Sequence, residues 1–444
     1  MLTSRLILIV IFSLYSTFCY PLLKIDINKG SVNPIPVALA PFDADSWKSK
    51  EIAFDMLEII SNNLSTSGAF DILDKASLLE ELGIDSVPNF TLWRKTRVAG
   101  VIAGSITELG DNRFSIKFKI WSPYGEKVID GMAYEIDRHM WRRVAHKISN
   151  RIYEKMTGVR GYFNTKILFV SEQRDDAGHM IKKLAIMDQD GENFQTITDG
   201  KNMVLFPRFN SAAETGSGPQ KVIYMSYRGN SQQPGIYVLD LLSKYQYLVK
   251  NLGGVSFSPR FTTDGEGALM SASDGKSTNI YYLNLLNGET TRLTHCIGCI
   301  STSPSCSPDN KCSKIAFTSD ISGSRQIYIM NNDGSGATKI SSGDGAYSAP
   351  VWSPVDDYIA FVKVLKGNFY IGVMKSDGTG EKLITSSWLD ESPSWAPNGK
   401  TIIFRRQRPD GTSKLYAIDM NGYNERVIKT PFGASGPSWS ANMD

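Results

Sequence analysis

The stretch SPSWAPNG at residues 392–399 recurs, with variation, along the whole second part of the chain. PVWSPVD at 350–356 and PSCSPDN at 304–310 are close copies, while PRFTTDG at 259–265, PRFN at 207–210 and a truncated PSWS at 437–440 are looser ones. Their bulky positions are Phe209, Phe261, Cys306, Trp352, Trp395 and Trp439, spaced roughly 43 to 52 residues apart. Six copies at that period specify a repeat architecture, in which each unit buries its apolar face only against its neighbours.

Each copy carries three further elements. An apolar run comes first, as in ILFVS at 167–171, VIYMS at 222–226 and IAFTS at 315–319. A run of the form Ile/Leu-Tyr-aliphatic follows, as in IYV at 236–238, IYI at 327–329 and LYAI at 415–418. Asp-Gly or Asn-Gly pairs such as Asp190-Gly191, Asp333-Gly334 and Asn421-Gly422 then supply tight turns that need positive φ. A short amphipathic segment such as TTRLT at 290–294 closes the unit. Four short strands per repeat are the signature of a β-propeller blade.

A linear stack of the same units would leave two open edges to cap. The phase of the repeats decides between the two. The repeat region begins on a second strand, at Ile167, and ends on an unaccompanied first strand at 435–440. That last strand can complete the first blade and cover both edges. The expectation is therefore a six-bladed β-propeller of four-stranded antiparallel blades over 161–444, its ring closed by the C-terminal strand. Trp352, Trp395 and Trp439 are expected to pack between blades.

Upstream, residues 35–160 read as a small α/β N-terminal domain. A helix is expected over 46–64, with Ile52, Met56, Ile59, Ile60 and Leu64 on one face. A second is expected over 76–82, stopped by Gly83. An apolar strand at 98–106 precedes two alternating strands joined by Pro123-Tyr124-Gly125, and a last helix runs from an Asp137 cap to Gly158. Gly100 and Gly104 lie inside a strand and open no helix, which excludes a phosphate loop. His139 and His146 stand on the last helix without a third ligand in sequence, so no metal is expected.

At the N-terminus, Arg5 and the apolar run 6–14 resemble a secretory signal too short to span a membrane. Cleavage is expected after Cys19, giving a signal peptide over 1–19; the competing reading is an uncleaved anchor. Phe18, where a lipoprotein signal needs a small residue, argues against lipidation of Cys19. Residues 20–34 form an extended arm containing Leu22, Leu23, Lys24, Ile25, Asp26 and Ile27. Its alternation suits either an ordinary strand or a strand added to another protein's sheet edge. A net charge of +3 gives no reason to expect nucleic acid. Cys296, Cys299, Cys306 and Cys312 lack the paired knuckles usual for zinc, and an even count in an oxidising compartment favours disulfides. Cys306 and Cys312, flanking one predicted turn, are the expected pair.

No G-x-S-x-G elbow occurs, and the four histidines fall in no triad pattern, so no catalytic residue and no cofactor is expected. The informative positions are those expected just ahead of each first strand, at the mouth of the central channel. They include Val255, Phe257, Ser258, Ser301, Thr302, Ser303, Tyr347, Ser348, Leu389, Asp390 and Glu391, a mixed apolar and polar rim suited to a protein partner.

Four stretches then carry a family resemblance: KIDINKGSVNPIPVALAPF at 24–42, VAGVIAGSIT at 98–107, MTGVRGYFNTKILFV at 156–170 and WLDESPSWAPNG at 388–399. With them the mature chain resembles the TolB family, the periplasmic propellers of the Tol-Pal system. The resemblance implies a non-enzymatic, monomeric adaptor in the periplasm that supports outer-membrane integrity and constriction at division. It implies that the lipoprotein Pal binds at the rim, where Val255, Ser258, Thr302 and Ser303 match, and that TolA binds the arm. The alternative from the residues alone is a ligand-binding or regulatory propeller of a peptidase-related or sugar pathway. The Arg405, Arg406, Arg408 loop departs from the family pattern.

Overall fold

The computed structural model describes residues 33–210, 221–228, 234–250 and 255–443. The expected signal peptide and all but the last two residues of the expected arm lie outside the described residues.

The first domain is a mixed sheet with helices on its faces. Strand β1 (Ile35–Leu39) pairs in parallel with β3 (Phe70–Ile72) on one side and β4 (Gly100–Gly110) on the other. Strands β5 (Arg113–Ser122) and β6 (Lys127–Asp137) extend the sheet antiparallel, and the two-residue β2 (Asp43–Ala44) pairs with β4. Helix α1 (Trp47–Thr66) starts where Ser46 Oγ accepts the Ser49 N–H, and its apolar stripe of Ile52, Met56, Ile60 and Leu64 is buried. Helix α3 (Trp141–Thr157) packs beside it through Val144, Ile148 and Ile152 and ends at Gly158, whose φ of 75° provides the left-handed cap. The opposite face is covered by Leu82, Val98 and Trp93 of the short α2 (Phe90–Lys95). Gly104 leaves room for the Phe42 ring, which a Cβ would meet at 2.7 Å.

Two local expectations are corrected. No helix forms over 76–82; only a 3-10 turn, Lys75–Ser77, appears there. Seven residues give too few intrahelical bonds to offset nucleation, and Glu80 instead accepts from the Asn89 N–H and the Trp93 indole, supporting α2. Asp137 makes no side-chain cap; a 3-10 turn at Arg138–Met140 intervenes before α3.

The second domain is a ring of six four-stranded antiparallel blades. Blade 1 contains Lys166–Arg174, Met180–Asp188 and Gln195–Thr196, and its inner strand is the C-terminal Gly433–Trp439. The inner strands of blades 2 to 6 are Val204–Phe209, Val255–Phe261, Ser301–Cys306, Ala346–Trp352 and Leu389–Trp395. Ser438↔Leu168 and Trp439↔Ile167 are the pairs that close the ring. Inter-blade packing falls to the motif's aromatic position. Trp395 donates its indole N–H to Val351 O at 2.9 Å, and Trp352 packs against Ala316 and Ile327 of the blade before it. Cys306 is paired with Cys312 across one turn of blade 4, and Cys296 and Cys299 lie side by side, with Cα atoms 5.7 Å apart, in the segment leading into that blade. Among the described residues, no helix is long and apolar enough to cross a membrane.

The two domains share one core. Tyr153 of α3, Tyr162, Phe163 and Trp439 form a chain of ring contacts with centroids 4.7 to 6.1 Å apart. The first domain touches turns that follow inner and third strands. Asn424 of blade 6 donates to Thr66 O at 2.9 Å, Arg142 meets Asp188 and Asp190 of blade 1, and Asn442, past the last inner strand, donates to Gly161 O at 2.9 Å. Inner strands therefore end on the face the first domain covers and begin on the opposite face, which is free of the first domain among the described residues.

Candidate functional site

Each inner strand breaks its ladder once, at the same place. Phe206, Ser258, Ser303, Ala349, Ser392 and Gly436 all have positive φ, between 49° and 58°, and each precedes a proline. Pairing with the second strand shifts across that step in every blade. The extra residue is a β-bulge, and proline fits it because its missing N–H falls where the ladder is interrupted. The recurring proline of the repeat thus marks the bulge.

The bulge also corrects the placement of the rim. Sequence spacing puts the rim residues ahead of the first strands; the structure puts them inside, because pairing resumes upstream of the bulge. Phe257, Ser258, Thr302, Ser303, Ser348, Leu389 and Glu391 are half-buried on the free face. Val255 starts its strand, and its side chain lies outside the described residues. Ser301, Tyr347 and Asp390 turn into their blades and are buried. Ser301 Oγ lies 3.1 Å from Ser319 Oγ. Tyr347 donates to Glu381 Oε2 at 2.7 Å and accepts from Lys363 Nζ at 2.6 Å, while Lys363 also pairs with Glu381 Oε1 at 2.7 Å. Asp390, with no exposed surface, takes Arg406 Nε at 2.7 Å and Nη2 at 2.8 Å, and Arg406 also reaches Glu425.

Blades 5 and 6 thus hold matching ion clusters where blades 1 to 4 have Ser171, Ser226, Ala272 and Ser319. Burial pulls the Lys363 ammonium down, but its bonds to Glu381 and Tyr347 outweigh that and hold it above its ordinary value. Burial likewise opposes the Arg406 charge and is overcome by Asp390 and then Glu425. Burial pushes the Tyr347 phenol up. Arg405 pairs with Glu391 and donates to Ser413 Oγ. The expected loop is thus corrected, since Arg405 and Arg406 stand in the strand Thr401–Gln407, where their paired partners Glu391 and Asp390 hold them.

Among the described residues, several exposed apolar side chains on this face escape a reading of the sequence. Met203, Ile300, Trp388 and Phe432 lie just ahead of inner strands, Ile321 in a second-to-third turn, and Ile297 between Cys296 and Cys299. Trp388 is 63% exposed and Ile297 94%. The Ile297 loop is held from both sides: Asn279 Oδ1 accepts the Cys296 N–H at 3.0 Å, and Gly298 N donates to Ser277 Oγ at 2.9 Å. The sequence signals them only by their position next to the motif, since single exposed apolar residues are ordinary.

One other cluster gathers potential ligands. His146, Asp188 and Asp190 place donor atoms within 4.8 Å of one another at the domain interface. Arg142 bonds both carboxylates and Lys166 Nζ meets Asp188 Oδ1 at 2.7 Å, so protein cations already stand where a metal would. His139 is exposed.

Comparison with known proteins agrees with this architecture. The family model described as "TolB amino-terminal domain" matches residues 23–127, and "TolB beta propeller domain" matches 153–443. The chain is 42% identical over 445 residues to the Tol-Pal system protein TolB of Rickettsia peacockii (strain Rustic), covering 97% of this chain and 98% of the relative. The Rickettsia africae (strain ESF-5) protein of the same name gives the same identity and coverage. The crystal structure of TolB from Acinetobacter baumannii superposes with a TM-score of 0.80 at 23% identity, over 92% of this chain and 96% of that one, a likeness of fold. None of these names denotes an enzyme. The chain belongs to the TolB family of Tol-Pal system proteins.

Proposed function

We propose that the chain is a periplasmic adaptor, not an enzyme, that holds an outer-membrane lipoprotein of the Pal type at the free face of its propeller. The observation that carries this is the ring of exposed apolar side chains, Met203, Ile297, Ile300, Ile321, Trp388 and Phe432, around half-buried polar strand starts. An apolar ring with hydrogen-bonding groups inside it is the composition of a protein interface, with Trp the strongest candidate anchor. The face is free because the first domain docks on the other end of the ring. The arm at 20–34, joined to the first domain, would engage TolA independently, so the chain would link the two envelope membranes during constriction.

The test is titration calorimetry of the purified mature protein against the soluble domain of Pal. The variant Thr302→Arg with Ser348→Arg, which places two charges on the rim, is expected to weaken binding at least tenfold, and Trp388→Ala comparably. Unchanged affinity in both would remove the assigned face. Deleting residues 20–33 is expected to abolish TolA binding and leave Pal binding intact.

A further inference from the structure

Two arginines on adjacent inner strands have no carboxylate partner among the described residues. Arg208 and Arg260 stand at the same position of adjacent inner strands, two residues past the positive-φ bulge residue. The equivalent residues in the other blades are Ser305, Val351, Ser394 and Ser438. Three of these are serines that stitch the ring: Ser305 Oγ accepts the Trp352 N–H at 3.0 Å, Ser394 Oγ the Trp439 N–H at 3.2 Å and Ser438 Oγ the Phe209 N–H at 3.1 Å. Building the ring therefore calls for a small residue here, and blade 5 does without a polar group altogether. Arg208 also bonds across to the neighbouring blade, at Gly436 O and Pro437 O, but the charge that two adjacent arginines bring is not needed for that.

Their surroundings are short of negative charge. Arg208 is 9% exposed, and its Nη1 donates to three carbonyls of the inner strands, Pro207 O at 2.7 Å and Gly436 O and Pro437 O at 3.3 Å. Its buried Nε has no partner among the described residues. Arg260 is half-buried, and among the described residues no carboxylate pairs with either guanidinium. Burial pulls the Arg208 guanidinium down to about 10, and burial, with the Arg208 charge beside it, also lowers Arg260 well below its ordinary value. Buried like charges are costly unless something of opposite sign offsets them. Guanidinium groups present planar forks of donors that match carboxylate and phosphate oxygens.

We propose that Arg208 and Arg260 form a binding site for a compact oxyanion, a phosphate or carboxylate group, in the wall of the propeller channel. The site lies two residues past the bulges of the second and third inner strands, and does not depend on which protein docks on the free face.

The experiment uses the full mature chain at constant ionic strength, with chloride replaced stepwise by inorganic phosphate in one series and by acetate in another. Saturable stabilisation or heat of binding is expected in at least one series. Phosphate alone would indicate a site for the free ion; acetate as well would indicate a site that a partner's carboxylate side chain can fill. Arg208→Ser and Arg260→Ser, which install the residue of blades 1, 4 and 6, are each expected to weaken the response at least tenfold while folding normally without anion. Arg260→Lys, which keeps the charge but loses the fork, is expected to fall between, and serves should a serine variant not fold. No saturable response in either series, or an unchanged response in the serine and lysine variants alike, would overturn the site.

Discussion

Gln189 of blade 1 donates its carboxamide Nε2 to Asn63 Oδ1 of α1 at 2.9 Å, in a buried contact between the two domains. The Asn63 Nδ2 in turn donates to Ser149 Oγ and to His146 Nδ1 of α3, each at 3.0 Å. One carboxamide on α1 therefore satisfies polar groups on α3 and on a propeller turn. Replacing it strands several buried groups at once, each costing about 1–3 kcal/mol. Asn63→Leu is expected to destabilise the protein by about 3 kcal/mol in urea unfolding. A loss below about 1 kcal/mol would mean the interface does not depend on this contact.

The same network fixes the state of His146. An amide NH2 can only donate, so Nδ1 must accept and the ring is neutral, with its proton on the Nε2 that faces Asp190 Oδ2 at 3.6 Å. Burial is the main cause that keeps its pKa below the ordinary 6.5; Asp190 and Asp188 act against that, and Arg142 and Lys166 with it. The unfolded chain therefore takes up this proton first as pH falls. The contribution to stability is full above about 6.5 and is lost as pH drops from there through the folded value. Protonated Nδ1 would also oppose the Asn63 donor and break its orientation toward Gln189. Thermal midpoints measured from pH 8 to pH 5 are expected to fall less steeply in His146→Gln than in the parent. Parallel curves would show that this histidine is not the sensor.

Asp419, at the base of blade 6, works in the opposite sense. Burial is the largest cause raising its carboxyl to about 6, against the lowering effect of Arg426. A raised carboxyl pKa means the folded state holds the proton more tightly, so stability falls as pH rises from 3.8 through about 6. Asp419→Asn is expected to be more stable than the parent at pH 7.5 and to lose that advantage near pH 4. A variant less stable at both values would show that the Thr401 bond at 3.2 Å matters more than the charge.

The contrast between these residues and the repeat shows what a sequence makes legible. Blade number, strand order and ring closure follow from periodic positions such as Trp352, Trp395 and Trp439, because each copy restates the same local physics. The bulge at Ser392 is visible in sequence only as a proline, since pairing register depends on the partner strand. Spacing alone places Tyr347 and Asp390 on the rim. They turn inward because the bulge sets which side of the inner strand faces the blade, as it does at Ser301, and Lys363 and Arg406 on the paired second strands then meet them with charge. Asn63 and Gln189 carry no motif, and their role exists only once the domains meet. Ile297 and Trp388 are hidden for the reverse reason: exposure belongs to the surface, and no pattern of period marks it.

The Asp390–Arg406 pair gives a direct measure of what the inward turn is worth. Arg406 also stacks over the Tyr416 ring at 4.6 Å, so methionine would keep part of its packing. Arg406→Met alone leaves a fully buried carboxylate unpaired and is expected to cost about 3–5 kcal/mol. Asp390→Leu combined with Arg406→Met is expected to recover at least half of that loss. A double-mutant cycle from urea unfolding reads the coupling directly. Additive single losses would mean that the two residues stabilise blade 6 separately.

Two glycines at the domain junction look alike in sequence and carry different constraints. Gly158 ends α3 with a φ of 75°, and a Cβ added there would have nothing within 4 Å, so its substitution strains only the backbone. Gly161 has no such φ, but a Cβ there would lie 2.4 Å from Asn150 Cα. Asn150 is buried, and its Oδ1 accepts the Phe163 N–H at 2.7 Å while its Nδ2 donates to Asn442 Oδ1 at 3.1 Å. A methyl group at 161 must therefore push the linker off α3 and loosen the C-terminal residues that close the ring. Gly158→Ala is expected to cost about 1 kcal/mol, the penalty of a left-handed cap without glycine. Gly161→Ala is expected to cost about 3 kcal/mol, at the upper end for overpacking, and to expose the C-terminal segment to carboxypeptidase. Equal losses with no change in digestion would mean that linker and helix separate without disturbing the ring.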